Sequence, residues 1–492
     1  MVREYEMFIN GKWVNSSIGE KIDSVNPYNQ EVWATVPQAS DDDVDAAVKV
    51  AKQTFENDWR KVSALERAEL LIKLGNLLEK NAEQMAEIES TDNGKVIRET
   101  RNQMIFAAKQ YRYFAGWADK IYGEVIPIDN QGIFDYTIRE PYGVSALITA
   151  WNSPISLLAN KLAPAIAAGN TVVIKPSEYA SVSTLEFAKL VEEAGFPPGV
   201  INVVTGDGRV GNTLTTHPLV DKISFTGGTV TGKQILKNAS ENIVPVTLEL
   251  GGKSPNIIFE DANLDEAING AIAGIFAATG QTCIAGSRLL VQRSIYKDVI
   301  KQLIVRAKAI KLGDPLNPNT EMGPVANHVQ YNKILSRIEE AKTEGAKLVY
   351  GGEPFKESGL GKGYFVSPTI FADVENDMKI AQREVFGPVL AVIPFYDEDE
   401  AIQIANNIDY GLATGIWTMN VKRAHHLIRE LRAGTVWVNT YRTAATQAPF
   451  GGIKASGIGK ERGKDAILDY TYVKNAMLNL SENERDPFSI QT

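Results

Sequence analysis

Between residues 143 and 249 the chain carries five apolar runs, at 144–149, 171–175, 200–204, 222–226 and 244–249, each separated from the next by a segment of helix length or less. Strand and helix alternating with short connections predict an open parallel sheet with helices on its faces. Sheets of that kind bind ligands beyond the carboxyl ends of their strands. The residues directly after the runs are therefore the informative ones: Ala150-Trp151-Asn152-Ser153-Pro154, Lys175-Pro176-Ser177-Glu178, Gly227-Gly228-Thr229 and Glu249-Leu250-Gly251-Gly252-Lys253. Polar residues and glycines gather at one edge of the predicted sheet. From residue 254 to about 455 a second alternation repeats the theme, so two α/β domains meeting at a cleft are expected.

That second half holds the only cysteine among 492 residues, Cys283. No intrachain disulfide is possible, and a single thiol suits a reducing compartment. A lone cysteine is more often a small buried hydrophobe than a nucleophile, but its neighbours point elsewhere. An apolar helical segment, 264–278, runs into Thr279-Gly280, where glycine closes a helix and lets the chain turn. Cys283 then sits on a turn between Gly280 and Gly286, among backbone N–H groups free to donate to an anion, which is half of an oxyanion hole.

Composition removes several classes of function. The balance of 44% apolar and 23% charged residues is that of a globular protein of two or three domains. A net charge of -9 without a basic block disfavours nucleic acid and anionic membrane as partners. Two uncharged stretches, 141–160 and 267–287, are interrupted by Asn152, Pro154, Asn269 and glycines, and read as pocket walls rather than membrane spans. The acidic start lacks the apolar segment of a secretory signal, and a cytoplasmic location is expected. His217, His328, His425 and His426 form no metal-ligand pair, no G-x-S-x-G occurs, and no histidine lies near an evident site to serve a cysteine protease.

Elsewhere the sequence reads as scaffold. Residues 1–40 predict short strands with a hairpin turn at Asn10-Gly11, and Ser40 followed by three aspartates predicts a helix start. The helical arm to about residue 118 reads as packing without chemistry. Residues 122–140 predict a hairpin about 129–132, residues 469–480 another strand, and 351–363 a surface loop. Exposed strand edges at two separate places suggest a symmetric oligomer. Gly206-Asp207-Gly208-Arg209-Val210-Gly211 fits the dinucleotide pattern, but the short following helix and the missing downstream acid favour a surface turn. The rival is 225–232, where a strand passes into a helix with Thr229 as N-cap, its N–H groups available to a pyrophosphate.

Taken together, Trp151-Asn152-Ser153-Pro154, Lys175-Pro176-Ser177-Glu178, Phe225-Thr226-Gly227-Gly228-Thr229, Glu249-Leu250-Gly251-Gly252-Lys253-Ser254-Pro255, Gly280-Gln281-Thr282-Cys283, Glu384-Val385-Phe386-Gly387-Pro388 and Pro449-Phe450-Gly451-Gly452 closely resemble the NAD(P)-dependent aldehyde dehydrogenase superfamily, in its hydrolytic branch, over nearly the whole chain. The resemblance implies an α/β fold with a Rossmann-like parallel-sheet cofactor domain (1–118 and 142–251), an α/β catalytic domain (252–455) and a small β oligomerisation element (119–141 and 469–492). It also implies a homodimer or homotetramer that acts on a small aldehyde.

By the same resemblance, Cys283 attacks the aldehyde carbon, the Asn152 amide and the Cys283 N–H hold the oxyanion, and Glu249 activates water to hydrolyse the thioester. Lys161 and Glu461 resemble a proton relay behind Glu249. Cofactor contacts fall on Trp151, Lys175, Ser177, Glu178, Gly208, Phe225, Thr226, Gly227, Gly228, Thr229, Leu250, Glu384 and Phe386. The carboxylate of Glu178 suits the ribose hydroxyls of NAD, while Lys175 leaves room for NADP. The substrate pocket falls on Ser153, Ser156, Leu157, Asn160, Thr282, Tyr441, Arg442 and Phe450. Two departures stand out: Gly228 occupies a place where many relatives have serine, and Arg383 replaces an acid. Ser153, Ser156 and Asn160 are small or polar where relatives that take apolar aldehydes carry large side chains, so a polar, hydroxylated or carboxylated aldehyde is expected. CoA-acylating chemistry and a non-catalytic protein on the same fold are the alternatives.

Overall fold

The computed structural model describes residues 2–481 and Phe488. Its first sheet has eight strands, in the spatial order Gly457–Ile458, Val246–Glu249, Lys222–Thr226, Val144–Ile148, Thr171–Lys175, Ile201–Val203, Met7–Ile9 and Lys12–Val14. The middle five are the apolar runs of the sequence, all parallel. They do not alternate between apolar and solvated positions because helices cover both faces, and polar members such as Ser145, Asn202, Lys222 and Ser224 are buried with the rest. Every residue of Val144–Ile148, Thr171–Lys175 and Lys222–Thr226 is buried. The outer edge is supplied from far along the chain, since Gly457–Ile458 pairs antiparallel with Val246–Glu249.

A second sheet of seven strands follows the order Lys347–Tyr350, Thr369–Ala372, Val389–Phe395, Arg288–Gln292, Pro255–Ile258, Ala413–Trp417 and Thr435–Val438, with only the first pair antiparallel. Each sheet buries its own apolar clusters. The strand carrying Pro255 starts just beyond Glu249, so the chain crosses from one sheet to the other through Gly251 and Gly252.

The amino-terminal strands and their turn form as expected, with Met7–Ile9 against Lys12–Val14. The helix Asp41–Asn57 begins in a capping box: Ser40 Oγ accepts from Asp43 N at 3.1 Å, and the Asp43 carboxylate accepts from Ser40 N at 2.9 Å.

The hairpin expected over 122–140 does not form as a ladder. Its second limb, Ile133–Pro141, pairs with Thr471–Asn479 along its whole length, while its first limb touches it only around the Val125–Tyr136 bridge. Pro127 brings no N–H to extend that limb, and the C-terminal strand takes the opposite edge. Of the segment 469–492, residues 482–487 and 489–492 lie outside the described residues. The stretch 351–363 contains a short 3-10 turn, Glu357–Lys362, beside a bridge between Pro354 and Val366. Among the described residues no helix is long and apolar enough to cross a membrane.

Candidate active site

The helix leading to Cys283 ends earlier than the sequence suggests, at Phe276. Ala278 and Thr279 then take left-handed backbone angles, with φ of 53° and 56°, and Gly280 continues at 69°. Glycine is required at 280 for a second reason: a Cβ there would stand 2.1 Å from Gly387 O. Strain of this kind persists only where the surroundings fix the chain. Thr279 Oγ1 donates to Gly323 O at 2.9 Å, Ala326 N donates to Gln281 Oε1 at 2.9 Å, and Ala278 N donates to Glu99 Oε1 at 3.1 Å. The Tyr441 hydroxyl donates to Ile284 O at 3.1 Å from behind. Cys283 is thereby held half-buried on a turn, and among the described residues its own N–H has no acceptor.

Asn152 follows the central strand Val144–Ile148 and reaches the same turn, with Nδ2 donating to Gln281 O at 3.0 Å. A carboxamide carries two N–H donors, so one is unspent. The loop bearing Asn152 is pinned by the helical arm that the sequence presents as packing alone, and that reading is corrected here. Asn93 Nδ2 donates to Trp151 O at 3.1 Å, and the buried Lys95 ammonium donates to Asn152 O and, at 2.5 Å, to Ser153 Oγ. Lys95 was legible only as a lysine after Asn93-Gly94, because its role depends on a contact 57 residues away.

Glu249 closes its strand almost fully buried, and neither carboxylate oxygen has a partner among the described residues. Burial, and secondarily the Glu461 charge, push its pKa well above the usual carboxylate range, against the pull of Lys161, Lys460 and Arg462. The Cys283 thiol is pushed up to about 12 by burial and by the nearby Glu249 and Glu384 charges. Lys161 and Glu461, both buried, form an ion pair at 2.5 Å, and Asn160 Nδ2 donates to the other Glu461 oxygen at 3.2 Å. These two are a buried pair beside Glu249, not surface salt bridges.

A cavity of about 470 Å³ runs along the carboxyl edge of the first sheet to Cys283 and Glu249. Trp151, Asn152, Leu157, Lys175, Ser177, Glu178, Gly208, Phe225, Thr226, Gly227, Gly228, Leu250, Glu384 and Phe386 line it. Gly208 and Gly211 edge it; the segment 206–211 stays at the surface, with Gly208 and Arg209 exposed, but it opens the helix Gly208–Thr216, capped by Asp207, rather than forming a turn alone. Thr229 is not the cap of the next helix and does not line the cavity. Gly228 is the cap, and Thr229 Oγ1 instead lies 3.5 Å from Ala455 O.

The cleft has the build of a dinucleotide site. No side chain caps the helix Thr229–Asn242, so its first N–H groups remain available beside the cavity wall at Gly228. A Cβ on Gly228 would meet nothing within 4 Å, so the glycine leaves open space where a side chain would fit. Among the described residues Lys175 Nζ, buried, bonds only to Pro176 O at 3.0 Å, and Ser177 Oγ donates to Glu178 at 3.2 Å. Nearer Cys283, Glu384 accepts from Gly252 N at 3.0 Å, and Trp151 meets Phe386 edge-on at 5.3 Å between ring centres. Gln330, absent from the sequence reading, holds this corner by donating to Val385 O and Phe386 O at 2.8 and 2.9 Å. Arg383 is exposed.

The residues assigned to the substrate pocket divide. Leu157 lines the cavity, whereas Ser153, Ser156, Asn160, Thr282, Tyr441, Arg442 and Phe450 do not. Ser153 spends its hydroxyl on Asn152 O at 2.7 Å and on Lys95. Tyr441 packs against Gly274 and Gly286 as a buttress of the Cys283 turn, and Arg442 Nη1 donates to Ala273 O at 3.2 Å. Ser156 and Thr282 are half-buried. Asn160 and Phe450 instead meet Arg462, a residue the sequence reading passed over. Its guanidinium lies 4.9 Å from the Phe450 ring centre and 5.1 Å from that of Phe106, and its Nε donates to Asn160 Oδ1 at 3.3 Å.

Known proteins share this architecture. Residues 13–476 match the Aldehyde dehydrogenase family. The chain is 46% identical over 491 residues to the (Z)-2-((N-methylformamido)methylene)-5-hydroxybutyrolactone dehydrogenase of Acinetobacter baylyi, covering 99% of each chain. Among solved structures it is similar to an NAD+ complex of an aldehyde dehydrogenase from Bacillus cereus, with a TM-score of 0.95, 46% identity and 97% of each chain covered. It is also similar to a betaine aldehyde dehydrogenase from Staphylococcus aureus in complex with NAD+, with a TM-score of 0.97, 40% identity and 98% and 97% of the two chains covered. Agreement of that extent in both sequence and fold places the chain in the aldehyde dehydrogenase family.

Proposed function

We propose that this enzyme oxidises an aldehyde to its carboxylic acid with NAD, through a covalent adduct on Cys283. The observation that carries this reading is the convergence on one cavity of a single thiol, a carboxylate with two unspent oxygens and the Asn152 amide. Cys283 attacks the carbonyl carbon, and the oxyanion receives the unspent Asn152 N–H and the Cys283 N–H. Each such donor contributes about 3–4 kcal/mol to the transition state. Because burial keeps the thiol protonated in the resting enzyme, attack requires a proton acceptor, and the same burial makes the ionised Glu249 a strong one. When bound, NAD supplies the hydride acceptor. Glu249 first gives the thiol proton up toward the buried pair of Lys161 and Glu461 behind it. It then takes a proton from water as that water attacks the Cys283 thioester, from which the Cys283 thiolate leaves as the acid forms.

The first N–H groups of Thr229–Asn242 would receive the pyrophosphate, Lys175 and Glu178 the adenosine ribose, and Glu384 the nicotinamide ribose. A carboxylate at Glu178 repels a 2'-phosphate, which favours NAD over NADP. The NAD+ complexes of the similar structures support the same choice. The Acinetobacter relative, named for a hydroxylated lactone, supports a polar substrate. In this reading 1–118 and 142–251 form the cofactor domain and 252–455 the catalytic domain, acting in the cytoplasm. The ribbon of Ile133–Pro141 with Thr471–Asn479, exposing Val473 and Met477, serves a homodimer or homotetramer, which light scattering would measure.

The deciding experiment follows NADH absorbance with a panel of aldehydes, with NAD and NADP in parallel, in the wild type, Cys283→Ser and Glu249→Gln. The expected result is no turnover for Cys283→Ser, and for Glu249→Gln a slowed burst that then stalls at the acyl-enzyme, because both proton transfers lose their acceptor. A Glu249→Gln enzyme that turns over normally once CoA is added would replace hydrolysis with acyl transfer to CoA.

A further inference from the structure

Arg462 makes no salt bridge among the described residues, although the Glu461 and Glu249 charges act on it from nearby. Its backbone has a φ of 63°, an unusual conformation for any residue other than glycine, and the guanidinium lies between the Phe106 and Phe450 rings. The rings fix the guanidinium plane by cation–π contact. One of its five N–H donors goes to Asn160 Oδ1, and among the described residues the others have no partner. The adjacent Glu461 makes no direct contact with it, because one of its oxygens is bound to Lys161 and the other accepts from Asn160.

Location gives this unspent group meaning. Asn160 lies on the helix Pro154–Ala168, which begins directly after the Asn152 loop, and Phe450 pairs in a bridge with Glu461. The Arg462 charge is felt at both Cys283 and Glu249. A half-buried positive charge set between two aromatic rings, with donors still open, is an attractive seat for an anion. A planar fork with open donors matches a carboxylate in two-point contact.

We infer that Arg462 receives a carboxylate carried by the substrate, so that the enzyme selects aldehydes bearing a carboxylate a few atoms from the reacting carbonyl. This rests on the proposed role of Cys283. Phe106 and Phe450 align the guanidinium, and Asn160 fixes its rotation. Arg442, which the sequence offers as the pocket cation, has one terminal nitrogen committed to Ala273 O.

The test compares succinic semialdehyde with butanal, which has the same chain length and no carboxylate, in the wild type, Arg462→Gln and Arg462→Lys. The ratio of the two kcat/KM values is the readout, because any effect of Arg462 on the shared thiol cancels in it. The wild type prefers the semialdehyde, and Arg462→Gln lowers the ratio on the order of 10- to 100-fold, the worth of a hydrogen bond to a charged group. Arg462→Lys recovers part of it. No preference in the wild type, or an unchanged ratio in Arg462→Gln, overturns the inference. A second measurement needs no turnover: succinate should slow iodoacetamide alkylation of Cys283 in the wild type and not in Arg462→Gln. Equal protection in both, or none in either, overturns it as well. Loss of turnover with both aldehydes, while succinate protection still depends on Arg462, would fault the proposed reaction and leave the anion site standing.

Discussion

Lys161 Nζ stands 2.5 Å from Glu461 Oε1, and both side chains are all but sealed from solvent. Lys161 also donates to Ser224 Oγ at 3.2 Å, so the ammonium ties a helix to the central strands. Replacing Lys161 with Met leaves the Glu461 carboxylate buried and unpaired. Denaturant unfolding should then show a loss of about 3–5 kcal/mol, most of it restored by adding Glu461→Leu. Lys161 is also among the cations that hold down the pKa of Glu249. With it gone, that pKa rises further, and the rising limb of the kcat profile moves to higher pH. A limb that stays put or moves down would remove Lys161 from the electrostatics of the base.

The Cys283 thiol is pushed up by burial first and by the Glu249 and Glu384 carboxylates next. Glu384→Gln keeps an oxygen for Gly252 N and removes a negative charge. The thiolate becomes easier to form, so alkylation by iodoacetamide at pH 9 should accelerate about 2- to 5-fold, corresponding to a few tenths of a pKa unit. An unchanged or slower rate would mean the Glu384 charge does not reach the thiol.

Asn152→Ala removes the side-chain donor for the oxyanion. That contact exists only once the carbonyl becomes tetrahedral, so kcat should fall about 100- to 1,000-fold with KM little changed. Steady-state kinetics separate the two; a raised KM with kcat intact would make Asn152 a ground-state binder.

Gly280→Ala combines a positive φ with a Cβ set against Gly387 O. Both strand connections that frame Cys283 must shift to admit it. A thermal melt should report destabilisation of more than about 2 kcal/mol, with activity lost in the fraction that folds. A melt like that of the wild type would show the turn to be adaptable.

The first sheet was readable because its strands are buried on both faces and therefore largely apolar. Cys283 and Asn152 were readable from the glycines, turns and uncharged stretches around them, and Glu249 from its place after a strand. What escaped was set by distance in sequence. Lys95 meets Asn152, Ile133–Pro141 takes Thr471–Asn479, and Gln330 holds Phe386, and none of these contacts leaves a local pattern. Tyr441 and Ser153 were placed in the substrate pocket by position alone; their hydroxyls face the backbone and Lys95 instead. Arg462 was hidden beside Glu461, because a charged pair in sequence looks like a solvated surface.

The pairing of Gly457–Ile458 with the strand that ends at Glu249 also constrains synthesis. A chain emerging from the ribosome can assemble the parallel strands from Val144 onward, but the edge at Leu248 and Glu249 stays open until Gly457 and Ile458 appear. Glu461 and Arg462 arrive with them. Until that moment the nascent protein presents a hydrogen-bonding edge to its neighbours, and slow elongation between the two partners would expose it longest. The closing strand that completes the site thus also ends the interval in which the chain can pair with the wrong partner.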